Sequence, residues 1–277
     1  MSIVVNTNTS STLVQTNLSK SATSIQTSLQ RLSSGARINK AADDAAGLSI
    51  SQGLTAQING SAVASNNAQQ GINLLQTAEG DLSVIQNNLQ RVRDLTVQAA
   101  NGTYGTAERN AIKSEVQARI EENDRIASVS KFNKIQLLNG KSTGLTLQIG
   151  VSNGSNNTLK IGGSLTSAAS SKLGLKSILS KFDSATHASS YVANIDSAIA
   201  QVSTQRAGIG ALQNRLDSTI SSLGVKSENL EASNSNIRDV DIAKEAANLT
   251  KNQILQQASA SLLSQANQAP GIALSLI

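Results

Sequence analysis

Apolar residues recur along two stretches of this chain at spacings of three, four and seven, and along the middle they do not. Ala68, Ile72, Leu75, Leu82, Ile85, Leu89, Val92 and Thr96 form the first stripe. Ile195, Ile199, Val202, Ile209, Leu212, Leu216, Ile220, Leu223, Leu230 and Ile237 form the second. A stripe sustained over several heptads predicts helices that pack along their length. The two stripes are distant in sequence, so the chain is expected to fold back on itself with its N- and C-terminal parts side by side.

The punctuation between stripes sets the remaining elements. Ile25, Leu29 and Leu32 share a helix face, and Ser33-Ser34-Gly35 reads as a helix end, because Gly suits the left-handed terminating position. Residues 39–44 are polar and read as a turn or kink. Asp43 and Asp44 then precede a helix containing Leu48, Leu54 and Ile58, with acidic residues at the start to complement the macrodipole. That helix is expected to reach about residue 100, its 68–99 segment alone spanning about 48 Å. Turn residues at 101–106 break it. A shorter helix over about 107–130 follows, with Ile112, Val116, Ile120 and Ala127 as its stripe, and Asn139-Gly140 marks a tight turn. Leu145, Leu147, Ile149 and Val151 alternate with small and polar residues, then come Asn153-Gly154, Leu159 and Ile161, which is a hairpin pattern. Residues 162–190 are rich in Ser, Gly and Ala and are expected to be weakly ordered. Helix resumes near Tyr191 and runs to about Asn236, with a further stretch over 239–269 that Pro270, the only proline, should end. Gly208 and Gly210 interrupt the second stripe; a bare Cα there suits close approach by a neighbouring helix.

Composition favours narrow seams over a thick core. The 277 residues include two Tyr, two Phe and no Trp, so the bulky rings that usually fill a compact interior are missing. Only 15% of residues are charged, and Asn, Gln, Ser and Thr abound. Such a neutral surface tolerates packing against copies of itself. The net charge of +5 is spread out with no basic run, which argues against nucleic acid. Absent cysteine excludes disulfides and thiolate metal sites. No stretch approaches the ~20 apolar residues that span a membrane. The start of the chain, with Ile3-Val4-Val5 as its only apolar run and Lys20 as its first charge, lacks the pattern of a secretory signal.

Chemistry is equally sparse. His187, the only histidine, has Asp183 and Asp196 as its nearest acidic residues in sequence, a poor ligand set. Glycines 60, 71 and 80 follow no phosphate-loop pattern. Asp43-Asp44 and Glu121-Glu122 are adjacent pairs that point in different directions on a helix. No catalytic, metal or cofactor site is expected, and the chain does not read as an enzyme.

The terminal segments resemble bacterial flagellin. The resemblance is carried by residues 18–39 (LSKSATSIQTSLQRLSSGARIN), 40–58 (KAADDAAGLSISQGLTAQI) and 67–103 (NAQQGINLLQTAEGDLSVIQNNLQRVRDLTVQAANGT) at the front. At the rear it is carried by 206–223 (RAGIGALQNRLDSTISSL) and 236–270 (NIRDVDIAKEAANLTKNQILQQASASLLSQANQAP). Together these are roughly half of the chain, in family order at both ends. The short middle and the ending PGIALSLI at Ile277 depart from the family pattern.

The resemblance implies a mainly α fold: a long antiparallel helical bundle or coiled coil formed by both chain ends, a small β-hairpin region, and no large outer domains. Residues 1–44 and 235–277 would form an inner terminal-helix domain, and 45–234 an outer helical domain with the hairpin near 145–161 and a short variable surface segment at 162–190. It implies a structural subunit that self-assembles into the flagellar filament for swimming, secreted to the extracellular flagellum, with a hook-filament junction protein as the alternative. Implied partners are copies of itself, an export chaperone, filament cap and junction proteins, and a host Toll-like receptor; nucleic acid and membrane insertion are not. Assembly-seam candidates are Ile25, Leu29, Leu32, Ile72, Leu82, Leu89, Leu212, Leu216, Leu230, Leu255 and Leu262. The chaperone would grip Leu255, Leu262 and Leu263. The receptor would use the QRVR-x-L segment, here Gln90, Arg91, Arg93 and Leu95, with Ile112 and Glu115 alongside.

Overall fold

The computed structural model describes residues 7–142, 144–176, 182 and 184–274, the last six of these by backbone alone. Ile3-Val4-Val5, Asp183 and Ile277 lie outside the described residues. Five helices account for most of the described chain: α1 (Thr9–Ser34), α2 (Ala45–Ala99), α3 (Thr106–Val129), α4 (Ala185–Arg238) and α5 (Ile242–Leu274). No described helix is long and apolar enough to cross a membrane. The chain divides into two compact units, one of residues 59–228 and one of residues 1–58 with 229–277.

In the 59–228 unit the first stripe is realised in full. Ala68, Ile72, Leu75, Leu82, Ile85, Leu89, Val92 and Thr96 are all buried on α2. Thr96 keeps its place among apolar neighbours by donating its hydroxyl to the Val92 carbonyl at 2.7 Å. Val116, Ile120, Ile126 and Ala127 from α3, and Ile195, Ala198, Val202, Ile209 and Leu216 from α4, complete one apolar cluster. Burying each large aliphatic side chain is worth about 1.5–3 kcal/mol. Polar rungs fix the register: Asn88 Nδ2 donates to Asn123 Oδ1 at 2.9 Å in the buried α2–α3 seam, and Arg206 reaches Glu79 at 2.8 Å and Gln86 at 2.6 Å across α2–α4.

The strands depart from expectation in two ways. β3 (Thr146–Gln148) and β4 (Thr158–Lys160) pair antiparallel, and Leu159, Ile149 and Ile161 face the core. The turn is not a tight Asn-Gly. A longer connection carries Gly154 at φ 136 and a single 3₁₀ turn over Ser155–Asn157, and it is closed by the Ile149 N–H bonding the Asn157 carbonyl at 2.8 Å. A second hairpin, β1 (Lys131–Phe132) with β2 (Ile135–Gln136), escapes the sequence pattern. Its two-residue turn puts Asn133 at φ 45 and Lys134 at φ 69. That is the positive-φ pair a type I′ turn needs, here made without glycine.

In the described part of the 162–190 segment, expected to be weakly ordered and at the surface, several side chains depart from a surface position. Leu165, Ala168, Leu173, Leu175 and Phe182 are buried in the core. Asp124 clips the segment to α3 by accepting both the N–H and the hydroxyl of Ser170 at 2.6 Å. The apolar residues are too irregularly spaced to show a period, yet sufficient to fill the unit. α4 starts at Ala185 rather than near Tyr191, so His187 lies in its first turn. At Gly208 the approaching group is Ser164 of a 3₁₀ turn, not a helix, and a Cβ at Gly210 would meet open space.

The unit made of the chain ends is built differently. α1 is capped by Asn8, whose Oδ1 accepts the Ser11 N–H, and ends at Gly35 in the left-handed conformation (φ 70). Asp44 Oδ1 accepts the Gly47 N–H at 2.8 Å and caps α2. The two chain reversals pair through main chain: Arg37 N–H to the Arg238 carbonyl at 2.6 Å and Val240 N–H to the Gly35 carbonyl at 3.0 Å. α5 does not stop at Pro270 but continues to Leu274. The carbonyl four residues back, on Ala266, which proline leaves without a donor, is instead bonded by Asn8 Nδ2 at 2.8 Å.

Candidate assembly surfaces

α1 and α5 run antiparallel, and their facing stripes mix buried polar groups with the half-buried Val14, Leu18, Ile25 and Leu32 of α1 and Leu249 and Leu263 of α5. Ser28 is 3% exposed and donates to Glu245 Oε1 at 2.5 Å; Glu245 is itself buried. Arg31 Nη1 stands 3.9 Å from the other carboxylate oxygen, and its Nε is buried without a partner. Ser11 donates to Asn267 Oδ1 at 2.8 Å near the far end. A cleft between the two helices is lined by Ser19, Thr23, Thr27, Arg31, Asn248 and Asn252. Other large apolar side chains of these helices are exposed: Leu13 is 64% exposed, Ile254 60% and Leu262 54%. Leu29, Ile242 and Leu255 are exposed as well.

The residues singled out in sequence divide accordingly. Ile72, Leu82, Leu89 and Leu216 are buried, and Leu212 packs against the same core, so these five hold the 59–228 unit together within one chain. Ile25, Leu32 and Leu230 are half-buried, while Leu29, Leu255 and Leu262 are exposed and Leu263 half-buried. Around the QRVR segment, Gln90 and Arg91 are exposed, and Arg91 pairs with Glu115 at 3.0 Å. Arg93 turns to Asp196 at 2.6 Å, whose carboxylate raises the guanidinium's pKa above its ordinary value. Leu95 and Ile112 belong to the core, Leu95 being 2% exposed. This corrects the expectation that Leu95 offers apolar area to a partner. It is one step of the α2 stripe, between Val92 and Ala99, and the stripe faces inward.

Two features were missed in sequence. Gly60, Ala64, Asn67 and Gly71 occupy one face of α2 at steps of four, three and four, and the β3–β4 hairpin sits on it. A Cβ at Gly60 would come 2.6 Å from Val151 and one at Gly71 would collide with Leu147, while Asn67 Nδ2 donates to the Gln148 carbonyl at 3.1 Å. The same-face spacing was legible; the occupant was not. The Ser28–Glu245 and Asn8–Ala266 contacts leave no periodic trace. Among the described residues no cluster of His, Cys, Asp and Glu could hold a metal ion.

Comparison with known proteins assigns the chain. The family model described as the bacterial flagellin N-terminal helical region matches residues 5–143, and that of the C-terminal helical region matches 192–277. Flagellin FlaB2 of Treponema pallidum (strain Nichols) is 40% identical over 287 residues, covering 99% of this chain and 100% of that protein. The flagellar filament 33 kDa core protein of Treponema phagedenis shows the same identity and coverage. Among solved structures, Bacillus cereus flagellin aligns with a TM-score of 0.50 at 29% identity, covering 57% of this chain and 88% of that one. Matches of both family models, together with relatives 40% identical over nearly the whole chain, show that the chain belongs to the bacterial flagellin family.

Proposed function

We propose that this chain, a structural subunit of the flagellar filament, packs against neighbouring copies chiefly through its α1–α5 pair. One observation carries the reading: the 59–228 unit buries its apolar stripes within a single chain, whereas Leu13, Leu29, Ile242, Ile254, Leu255 and Leu262 of the terminal pair stay exposed. A contact of one patch with a different patch on the next copy does not close on itself and generates a helical polymer. Residues 1–44 and 235–277 then serve as the inner, assembling domain and 45–234 as the outer helical domain. Electron microscopy of the purified chain tests this: long uniform tubes are expected from wild type, and tubes formed equally well by a Leu29→Ser, Leu262→Ser variant would reject it.

The same exposed α5 residues suit an export chaperone before the chain reaches its extracellular site, since an amphipathic helix with Leu255, Leu262 and Leu263 lies in a groove readily. Deleting residues 240–277 should abolish capture by the cognate chaperone; unchanged capture overturns that assignment. Filament cap and junction proteins are the corresponding partners at the polymer ends. A host Toll-like receptor is left Gln90, Arg91 and Glu115 as its accessible anchors. Arg91→Ala should cost about 1–3 kcal/mol of receptor affinity, and wild-type monomer that fails to activate receptor-bearing reporter cells would dismiss the partner.

A further inference from the structure

We propose that Asn8 and Pro270 are a matched pair that sets the register of α1 against α5. α5 runs to Leu274, so the Ala266 carbonyl is not one of the last four that every helix leaves open. It lacks a donor because residue 270 is proline and carries no N–H. Pro270 is the only proline in the chain, so Ala266 is the one interior carbonyl of α5 that proline strips of its partner. Asn8 answers it with Nδ2 at 2.8 Å, while its Oδ1 accepts the Ser11 N–H at 3.0 Å and caps α1.

The residue type is demanded by that double task. Asn carries an acceptor and two donors on one short side chain. Asp could cap but not donate, and Ser could cap but lacks the reach. Slipping α1 by one residue would move the amide by about 1.5 Å along the axis and turn it by about 100°, away from the only carbonyl that needs it. Elsewhere the interface mixes Ser, Thr and Asn groups that accept alternative partners with only half-buried aliphatic side chains, so a position with a single polar solution discriminates among registers that these leave close in energy. The Ser28–Glu245 bond belongs to the same register, 20 residues along α1 and 21 residues back along α5. Polar groups that select one pairing at a helix interface act in this way in coiled coils.

The test is a double-mutant cycle on the full chain. Asn8→Ser keeps the cap and removes the reach; Pro270→Ala restores an N–H to the Ala266 carbonyl. With Pro270 present, Asn8→Ser should raise the critical concentration for filament growth about fivefold to tenfold, the size of one lost hydrogen bond to a part-buried carbonyl. With Pro270→Ala the same change should raise it less than twofold, since the helix then serves its own carbonyl. Equal factors in both backgrounds overturn the proposal. Should Asn8→Ser abolish filaments, the double variant decides: recovered growth supports the pairing and continued failure overturns it. A readout independent of growth uses the absence of native cysteine. Ser11→Cys with Asn267→Cys should oxidise to one intrachain disulfide several times faster with Asn8 than with Asn8→Ser, and equal rates count against the pairing.

Discussion

The 59–228 unit and the unit made of the chain ends are both assemblies of long helices, yet they bury their apolar side chains to different extents. The first encloses Leu75, Leu82, Ile85, Leu89, Ile195, Val202 and Ile209 at 0% exposure. Between α1 and α5 the fully buried groups are Ser21, Ser28 and Glu245, Leu18, Leu32, Leu249 and Leu263 are half-buried, and Leu13, Leu29, Leu255 and Leu262 are exposed. A helix pair of the second kind gains less from the hydrophobic effect within one chain, because its aliphatic side chains are at most half-buried. Fixing each backbone residue costs about 1–2 kcal/mol, which apolar burial must offset. One unit therefore buries its stripes within a single chain, and the other leaves Leu13, Ile254 and Leu262 exposed.

The sharpest way to break this comparison is proteolysis of the free monomer. Residues before about 45 and after about 235 should be cut at least a hundredfold faster than 59–228, because segments with near-zero local stability open freely. In filaments the difference should vanish. Ends as resistant as the middle in the monomer would show that the α1–α5 pair stands alone.

Core truncations come next. Leu82→Ala or Leu89→Ala should destabilise the monomer by about 2–5 kcal/mol in denaturant unfolding. Leu29→Ala and Leu262→Ala should leave that transition within about 0.5 kcal/mol of wild type while raising the critical concentration for assembly. The opposite pattern would exchange the roles of the two units.

Smaller effects sharpen how the 59–228 unit is fitted. Gly71 and Gly80 lie on the same helix, but a Cβ at Gly71 collides with Leu147 and one at Gly80 meets nothing within 4 Å. Gly80→Ala should therefore stabilise by about 0.5–1 kcal/mol, the helix-interior value. Gly71→Ala should give no gain or a loss, read from the same thermal unfolding curves. Equal gains at both sites would mean that the hairpin does not rest on α2.

This contrast also explains what the sequence made legible. Period-seven patterning announces an apolar seam, so all eight residues of the α2 stripe were assigned correctly, as was the Gly35 helix end. Leu95 was misjudged because Arg91, four residues earlier, shares its face in a helical wheel; the boundary between exposed and buried runs between them. The 165–182 segment was missed because Leu165, Leu173, Leu175 and Phe182 pack without regular spacing. Pro270 was read as a stop because proline's effect on its own helix is local, whereas the compensation comes from Asn8, 258 positions away. Long-range polar contacts of this kind carry no periodicity.

The smallest effect concerns pH and the turn that follows α1. Asp43 Oδ2 accepts the N–H groups of Asn39 and Lys40 at 3.0 and 2.9 Å. Those bonds, Lys40's first, with Arg31 and Lys40 charges nearby, lower the carboxyl pKa below its ordinary 3.8. The native pKa is thus below the unfolded one, so the contribution is present in full above the unfolded value and is lost as pH falls through the native one. The carboxylate is fully exposed and solvent screens it. Asp43→Asn keeps an acceptor that never titrates. Filaments of that variant, followed by light scattering as pH is lowered through 4 and below, should show a slightly shallower acid disassembly than wild type. Superimposable acid profiles would mean that this turn does not respond to acid, and the polar character of the terminal unit would then rest on the α1–α5 contacts alone.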